Sequence, residues 1–167
     1  MDSPVKRTIY DWTLEISSIS CLVCVFIPLF FYESLDHEAL IPVHYNASGQ
    51  IDRWGDCTHF WDLPLVASAF YIGLSILERF YSRFNYPVKI TKENAQTIYR
   101  LGVALIRHMK LAMILIFAYL NNSSFFTVMG KREHFNRWIV YMLLFALIFI
   151  LLTYCIKMIR IRKKDSN

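Results

Sequence analysis

Four stretches of the chain are apolar over about twenty residues each, and polar or charged residues collect between them. The stretches run from about 14 to 32, 60 to 77, 109 to 129 and 138 to 156. About twenty apolar residues in helical form match the ~30 Å hydrocarbon thickness of a bilayer. The pattern therefore predicts an all-α integral membrane bundle of four transmembrane helices, built as a single membrane domain over 1–167. A short extracytoplasmic loop or hairpin, residues 33–59, joins the first two spans.

Three of the spans need an argument. In the first, Lys6 and Arg7 precede the apolar run as they would in a signal peptide, but Asp11 and Glu15 interrupt its start. No small-residue cleavage site follows, so a retained helix is expected, with a kink at Pro28. In the second, Pro64 falls in the first turn, where proline is tolerated. The third is less direct, because the apolar run 101–120 contains Arg107, His108 and Lys110. Two fixed charges at mid-bilayer would cost about 2.5–3.5 kcal/mol each on an insertion scale. Sliding the span to 109–129 avoids this, leaves Lys110 to snorkel at the interface, and turns 91–110 into a basic helix in the cytoplasm. Thr91 is the expected N-cap of that helix.

Charge sets the orientation. With the N-terminus inside, the inner segments carry fourteen of the eighteen Lys and Arg residues, and the outer segments carry only Arg53, Lys131, Arg132 and Arg137. Positive residues concentrate on the cytoplasmic side of membrane proteins, so both termini are expected there. The net charge of +5 thus reflects topology and contact with anionic lipid headgroups, and nucleic acid is not an expected partner. Membrane lipid is, and an oligomer fits so small a bundle. Composition agrees: 56% hydrophobic and only 19% charged, where a soluble domain has about 25% charged. The four cysteines, Cys21, Cys24, Cys57 and Cys155, have neither disulfide nor zinc spacing and are expected to be buried apolar residues.

Candidate chemistry gathers in the outer loop. It holds Glu33, Asp36, Glu38, Asp52 and Asp56, three histidines (His37, His44, His59) and one cation, Arg53. These are metal-ligand types, but no pair has the spacing of known zinc motifs, so no metal and no cofactor is expected. Pro42 fixes its own φ and extends Ile41, while Asn46-Ala47-Ser48-Gly49 is turn chemistry. Two extended pieces, 42–45 and 50–54, are expected to form a hairpin that brings His44 towards Asp52. The plain reading is that His44, Asn46 and Asp52 satisfy the loop's own backbone. On the inner side, Arg100, Arg107 and Lys110 follow at spacings of seven and three and share a helical face. Its plain reading is a lipid-facing edge; the sharper one is an anion or partner site.

The segment Ile41-Pro42-Val43-His44-Tyr45-Asn46, then Gly49, then Asp52-Arg53-Trp54-Gly55 resembles the bacterial integral-membrane family called domain of unknown function 1648. That domain also occurs in SdpI-type immunity and signalling proteins. The likeness is close from Pro42 to Gly55 and looser through Pro64 and the second span; Tyr99-Arg100, Arg107 and Lys110 also look like the family's third span. Many relatives place a Lys soon after the final Gly, where this chain has Asp56-Cys57-Thr58. The resemblance implies a four-span form in the bacterial plasma membrane. It makes Pro42, His44, Asn46, Gly49, Asp52, Trp54 and Gly55 the outer-loop motif. It also implies a non-enzymatic protein that recognises an extracytoplasmic peptide or a membrane protein partner, in immunity or signalling. A small oligomeric transporter or channel lined by 121–124 is the alternative, and a membrane enzyme using His44 with Asp52 ranks third.

Overall fold

The computed structural model describes residues 5–34, 40–130 and 136–165. Asp36, His37, Glu38, Lys131 and Arg132, counted above for the outer loop and the charge asymmetry, lie outside the described residues. Five helices and one two-stranded sheet follow in the order α1 (Ile9–Val25), α2 (Ile27–Phe30), β1 (Ile41–Tyr45), β2 (Ile51–Gly55), α3 (Asp62–Leu77), α4 (Ala95–Val128) and α5 (Arg137–Asp165). Short 3₁₀ turns extend α3 at both ends, so one helical rod runs Cys57–Arg83. Among the described residues three helices, Cys57–Arg83, Ala95–Val128 and Arg137–Ile161, are long and apolar enough to cross a membrane.

The start of α1 is set by Thr8, which accepts from the Asp11 N–H while Asp11 Oδ2 accepts the Thr8 N–H at 2.7 Å, a reciprocal cap. The 17-residue α1 stops at Phe26 and α2 resumes with Pro28 in its first turn. The break therefore lies just before the proline. Pro28 has no N–H to offer the Cys24 carbonyl, and the Leu29 N–H goes to Phe26 rather than to Val25. The Val25 and Cys24 carbonyls thereby lose their ordinary i+4 donors, and α4 bonds both. Asn121 Nδ2 donates to Val25 O and Asn122 Nδ2 to Cys24 O, each at 2.8 Å.

The helix α4 is the axis on which α1, α3 and α5 all pack. At ~1.5 Å per residue its 34 residues reach about 50 Å, more than a bilayer core requires. The basic helix expected over 91–110 as an extension of the span over 109–129 runs on into that span as one unbroken helix. Thr91 opens a turn with Asn94, through Thr91 N–H to Asn94 Oδ1 at 2.9 Å, and the helix proper starts at Ala95. Three apolar layers stack along α4: Ile41, Cys57, Phe60 and Phe125 beneath the hairpin, Val25, Ala67 and Ile114 in the middle, and Val88, Ile98 and Met158 at the end nearer the termini. Of the cysteines only Cys57 is buried; Cys24 is exposed and the other two are half-buried, all free thiols. An outward-facing helix position in a lipid-facing bundle is apolar too, so an apolar block alone does not bury its cysteines.

The hairpin is antiparallel, with Ile41 opposite Gly55, Pro42 opposite Trp54, His44 opposite Arg53 and Tyr45 opposite Ile51. The register slips on either side of His44. Its turn uses Asn46 twice: its carbonyl accepts the Gly49 N–H at 2.9 Å and its Oδ1 accepts the Gln50 N–H at 3.0 Å. Gly49 takes φ 79°, the left-handed conformation a Cβ would disfavour.

Candidate functional site

The hairpin is strapped down at both ends. Ser124 on α4 donates to Pro42 O at 3.1 Å and lies 3.3 Å from the Tyr45 hydroxyl. At the tip, Arg137 Nη1 donates to Ser48 O at 2.9 Å and Tyr141 Oη to Ala47 O at 2.6 Å, both from the first turns of α5. Under this roof lies a cavity of about 420 Å³. Phe60, Leu63, Leu120 and Val140 give it apolar walls, and Asn121, Ser124, His59 and Tyr141 place polar groups among them. An apolar cavity of this size with a few convergent polar groups is the usual form of a ligand site. Burial pushes the Tyr45 hydroxyl above its ordinary pKa.

Each loop-motif residue has a definite place. His44 Nδ1 stands 2.5 Å from Asp52 Oδ1, and both side chains are open, 59% and 42% exposed. The two therefore bind each other rather than the backbone, whereas Asn46 does serve the backbone as the plain reading has it. Pro42 is buried and faces the cavity, Gly49 makes the turn, and Trp54 stands half exposed on β2. Gly55 is a close approach: a Cβ there would lie 2.5 Å from the His59 ring and 2.8 Å from Val43. His59 in turn pairs with Asp62 at 2.7 Å. Asp56 caps the turn leading to α3, and the Thr58 hydroxyl and N–H bound to it hold its carboxyl below the ordinary pKa. Among the described residues, no three histidines, cysteines or carboxylates stand close enough to share a metal ion.

The inner basic face is divided. Arg100 is exposed, but Arg107 and Lys110 are only 4% and 1% exposed and do not face lipid or headgroups. Arg107 meets Asp11 at 2.6 Å and Glu78 at 3.0 Å; Lys110 Nζ meets Glu15 and Glu78 at 3.0 Å each and also donates to Ser75. Tyr71 Oη donates to Glu15, and Arg7 lies 3.7 and 3.5 Å from Glu15 and Glu78. Three carboxylates face three cations, a cluster of zero net charge joining α1, α3 and α4. Spacing three keeps Arg107 and Lys110 on the face that meets α1 and α3. Arg100 lies two turns earlier, nearer the end of α4. Buried charges must be paired, and pairing replaces the snorkelling inferred for Lys110. Asp11, Glu15 and Glu78 were not recognised as site residues. Their signal was present: Asp11 and Glu15 sit four apart on one face of an apolar helix, where unpaired carboxylates are costly.

Fold and site together define a mostly helical protein with helices long and apolar enough to cross a membrane and a small sheet at one end of the bundle. Residues 19–67, covering the end of α1, the hairpin and the start of α3, match the family described as Domain of unknown function (DUF1648). No curated protein matches the chain, and no solved structure does.

Proposed function

We propose that the chain is a non-enzymatic, four-span membrane protein of the SdpI-like type that recognises a peptide or a membrane protein partner at its outer face. The fourth span is formed by α1 with α2. Residues 9–30 reach about 33 Å at helical rise, enough for the hydrocarbon core despite the break at Phe26. Both termini lie in the cytoplasm of a bacterium, on the strength of the charge asymmetry and of the family match over 19–67.

The observation that carries the reading is the cavity of about 420 Å³ beneath the hairpin. It combines apolar walls with fixed polar groups, and Pro42, His44 and Asn46 of the motif line its roof. A peptide side chain entering there meets Phe60 and Leu120 below and His44 at the rim, with Asp52 bonded to His44 from outside the cavity. Protection or signalling then follows from occupancy and needs no chemical step.

The test is growth of a toxin-sensitive bacterium challenged with secreted killing peptides. The wild-type chain protects. His44→Ala with Asp52→Ala, and separately Leu120→Trp, which fills the cavity, lose protection at equal abundance. Full protection by both variants would remove the cavity and the motif from the account.

Transport is the second reading, favoured by one observation. A cavity of about 470 Å³ opens beside Glu15 and Glu78, so the bundle is hollow towards both ends. Val25, Ala67 and Ile114 close the space between; of the expected pore lining 121–124, Asn121, Asn122 and Ser124 donate to backbone carbonyls, and Ser123 is buried with its hydroxyl unbonded among the described residues. The closed layer favours binding over flux. Ion flux in liposomes above protein-free controls would reverse that order.

A further inference from the structure

Arg100 on α4 and Lys157 on α5 reach one cavity of about 270 Å³ at the end of the bundle nearer the termini. Thr97 adds a hydroxyl to its wall. Among the described residues neither cation has a carboxylate within ion-pair distance. The other ionisable groups of the cavity are engaged. Asp11 is 2.6 Å from Arg107 and accepts from Thr8, so its charge is compensated. The Tyr10 and Tyr154 hydroxyls both bond His108, at 2.8 and 3.1 Å. Two positive charges therefore remain without a carboxylate of their own in one concave place, Lys157 having only the Tyr154 ring, 5.3 Å from its Nζ. Elsewhere in the same bundle every buried cation is matched by a carboxylate.

We propose that this cavity is a binding site for a phosphate group, held by Arg100 and Lys157 with Thr97 donating. The chemistry of the donor set carries the assignment. A guanidinium offers a planar fork to two phosphate oxygens, an ammonium offers a point charge to a third, and a hydroxyl completes the set. Arg107 also lines the cavity, but it is buried and fixed by two carboxylates, so it holds the site's shape and is not a ligand. The site is independent of the outer cavity, because the middle apolar layer separates them.

The phosphate comes either from a phospholipid headgroup or from free anion, and one experiment on the full chain in detergent separates the two. Native mass spectrometry counts phosphatidylglycerol and phosphatidylcholine adducts, and thermal melting is followed with inorganic phosphate. Wild type takes up phosphatidylglycerol in preference to phosphatidylcholine. Arg100→Gln and Lys157→Gln each weaken that uptake about fivefold, since a cation near the surface contributes about 1 kcal/mol. The control Arg83→Gln, equal in charge to either variant and outside the cavity, leaves uptake unchanged. A melting rise with inorganic phosphate in wild type but not in Arg100→Gln, without lipid preference, assigns the site to free anion. Both cations are solvent-facing, so their variants fold; Lys157→Gln alone tests the site should Arg100→Gln not. The proposal is overturned if both variants match wild type in both readouts, or if the control loses as much as they do.

Discussion

Lys110 on α4 and Glu15 on α1, 95 residues apart in sequence, meet at 3.0 Å inside the bundle, and Glu78 on α3 holds the same ammonium at 3.0 Å. One side chain thereby ties three helices together. A buried ion pair adds little over a well-packed apolar contact, but removing one partner strands the others. Lys110→Met leaves Glu15 with Arg7 and the Tyr71 hydroxyl, and Glu78 with Arg7 and Arg107. The expected loss is about 3–5 kcal/mol of unfolding free energy, measured by denaturant titration in detergent. Adding Glu15→Gln to Lys110→Met recovers part of it, because the stranded charge is gone. A Lys110→Met protein as stable as wild type would show that the cluster is not what holds α1 and α3 to α4.

The break before Pro28 makes a second prediction. Asn121 and Asn122 take up the Val25 and Cys24 carbonyls that helix geometry abandons there. Interhelical bonds of this kind contribute about 0.6 kcal/mol on average and up to about 1.7. Asn121→Ala and Asn122→Ala each lower stability by that order. Pro28→Ala reduces the penalty of Asn122→Ala, since it restores an N–H for Cys24 O. Unfolding of the single and double variants in micelles reads the coupling.

Gly102 lets the loop after α3 lie against α4. A Cβ there would stand 2.5 Å from the Tyr86 hydroxyl and 2.8 Å from its ring, while that hydroxyl donates to Tyr81 O at 2.8 Å. Gly102→Ala overpacks the contact and costs about 1–3 kcal/mol. Tyr86→Leu in the same chain relieves the clash, so the double variant melts above Gly102→Ala.

At the foot of the hairpin, Asp56 titrates below its ordinary value because the Thr58 hydroxyl and N–H bond its ionised form. A depressed carboxyl contributes stability that is present above the ordinary pKa and lost as pH falls through the lowered one. Thr58→Val removes the larger contribution and raises the Asp56 pKa towards the ordinary value. Carboxyl chemical shifts followed against pH in wild type and variant measure the change. Equal titration curves would mean that the hydroxyl does not bond Asp56 in solution.

Much of this molecule is written locally. The positions of the three membrane-length helices follow from runs of apolar residues, and the hairpin follows from Pro42 and the Asn46–Gly49 turn, because span length and turn chemistry depend on neighbours in sequence. The nearness of His44 and Asp52 follows as well, since two strands and a short turn leave them little choice. The fate of Arg107 and Lys110 was not legible in this way. A helix face that looks ready for lipid headgroups becomes a core face when another helix lies against it, and the acids that decide it are 29 to 96 residues away. The same is true of Asn121 and Asn122, whose partners exist only because α1 breaks opposite them. Sequence alone determined which segments are helices, where the turn falls and which residues are charged. Only the tertiary structure decided which charges are spent on one another, and so left Arg100 with Lys157 unmatched, because pairing of buried charges is set by helix packing and not by spacing along the chain.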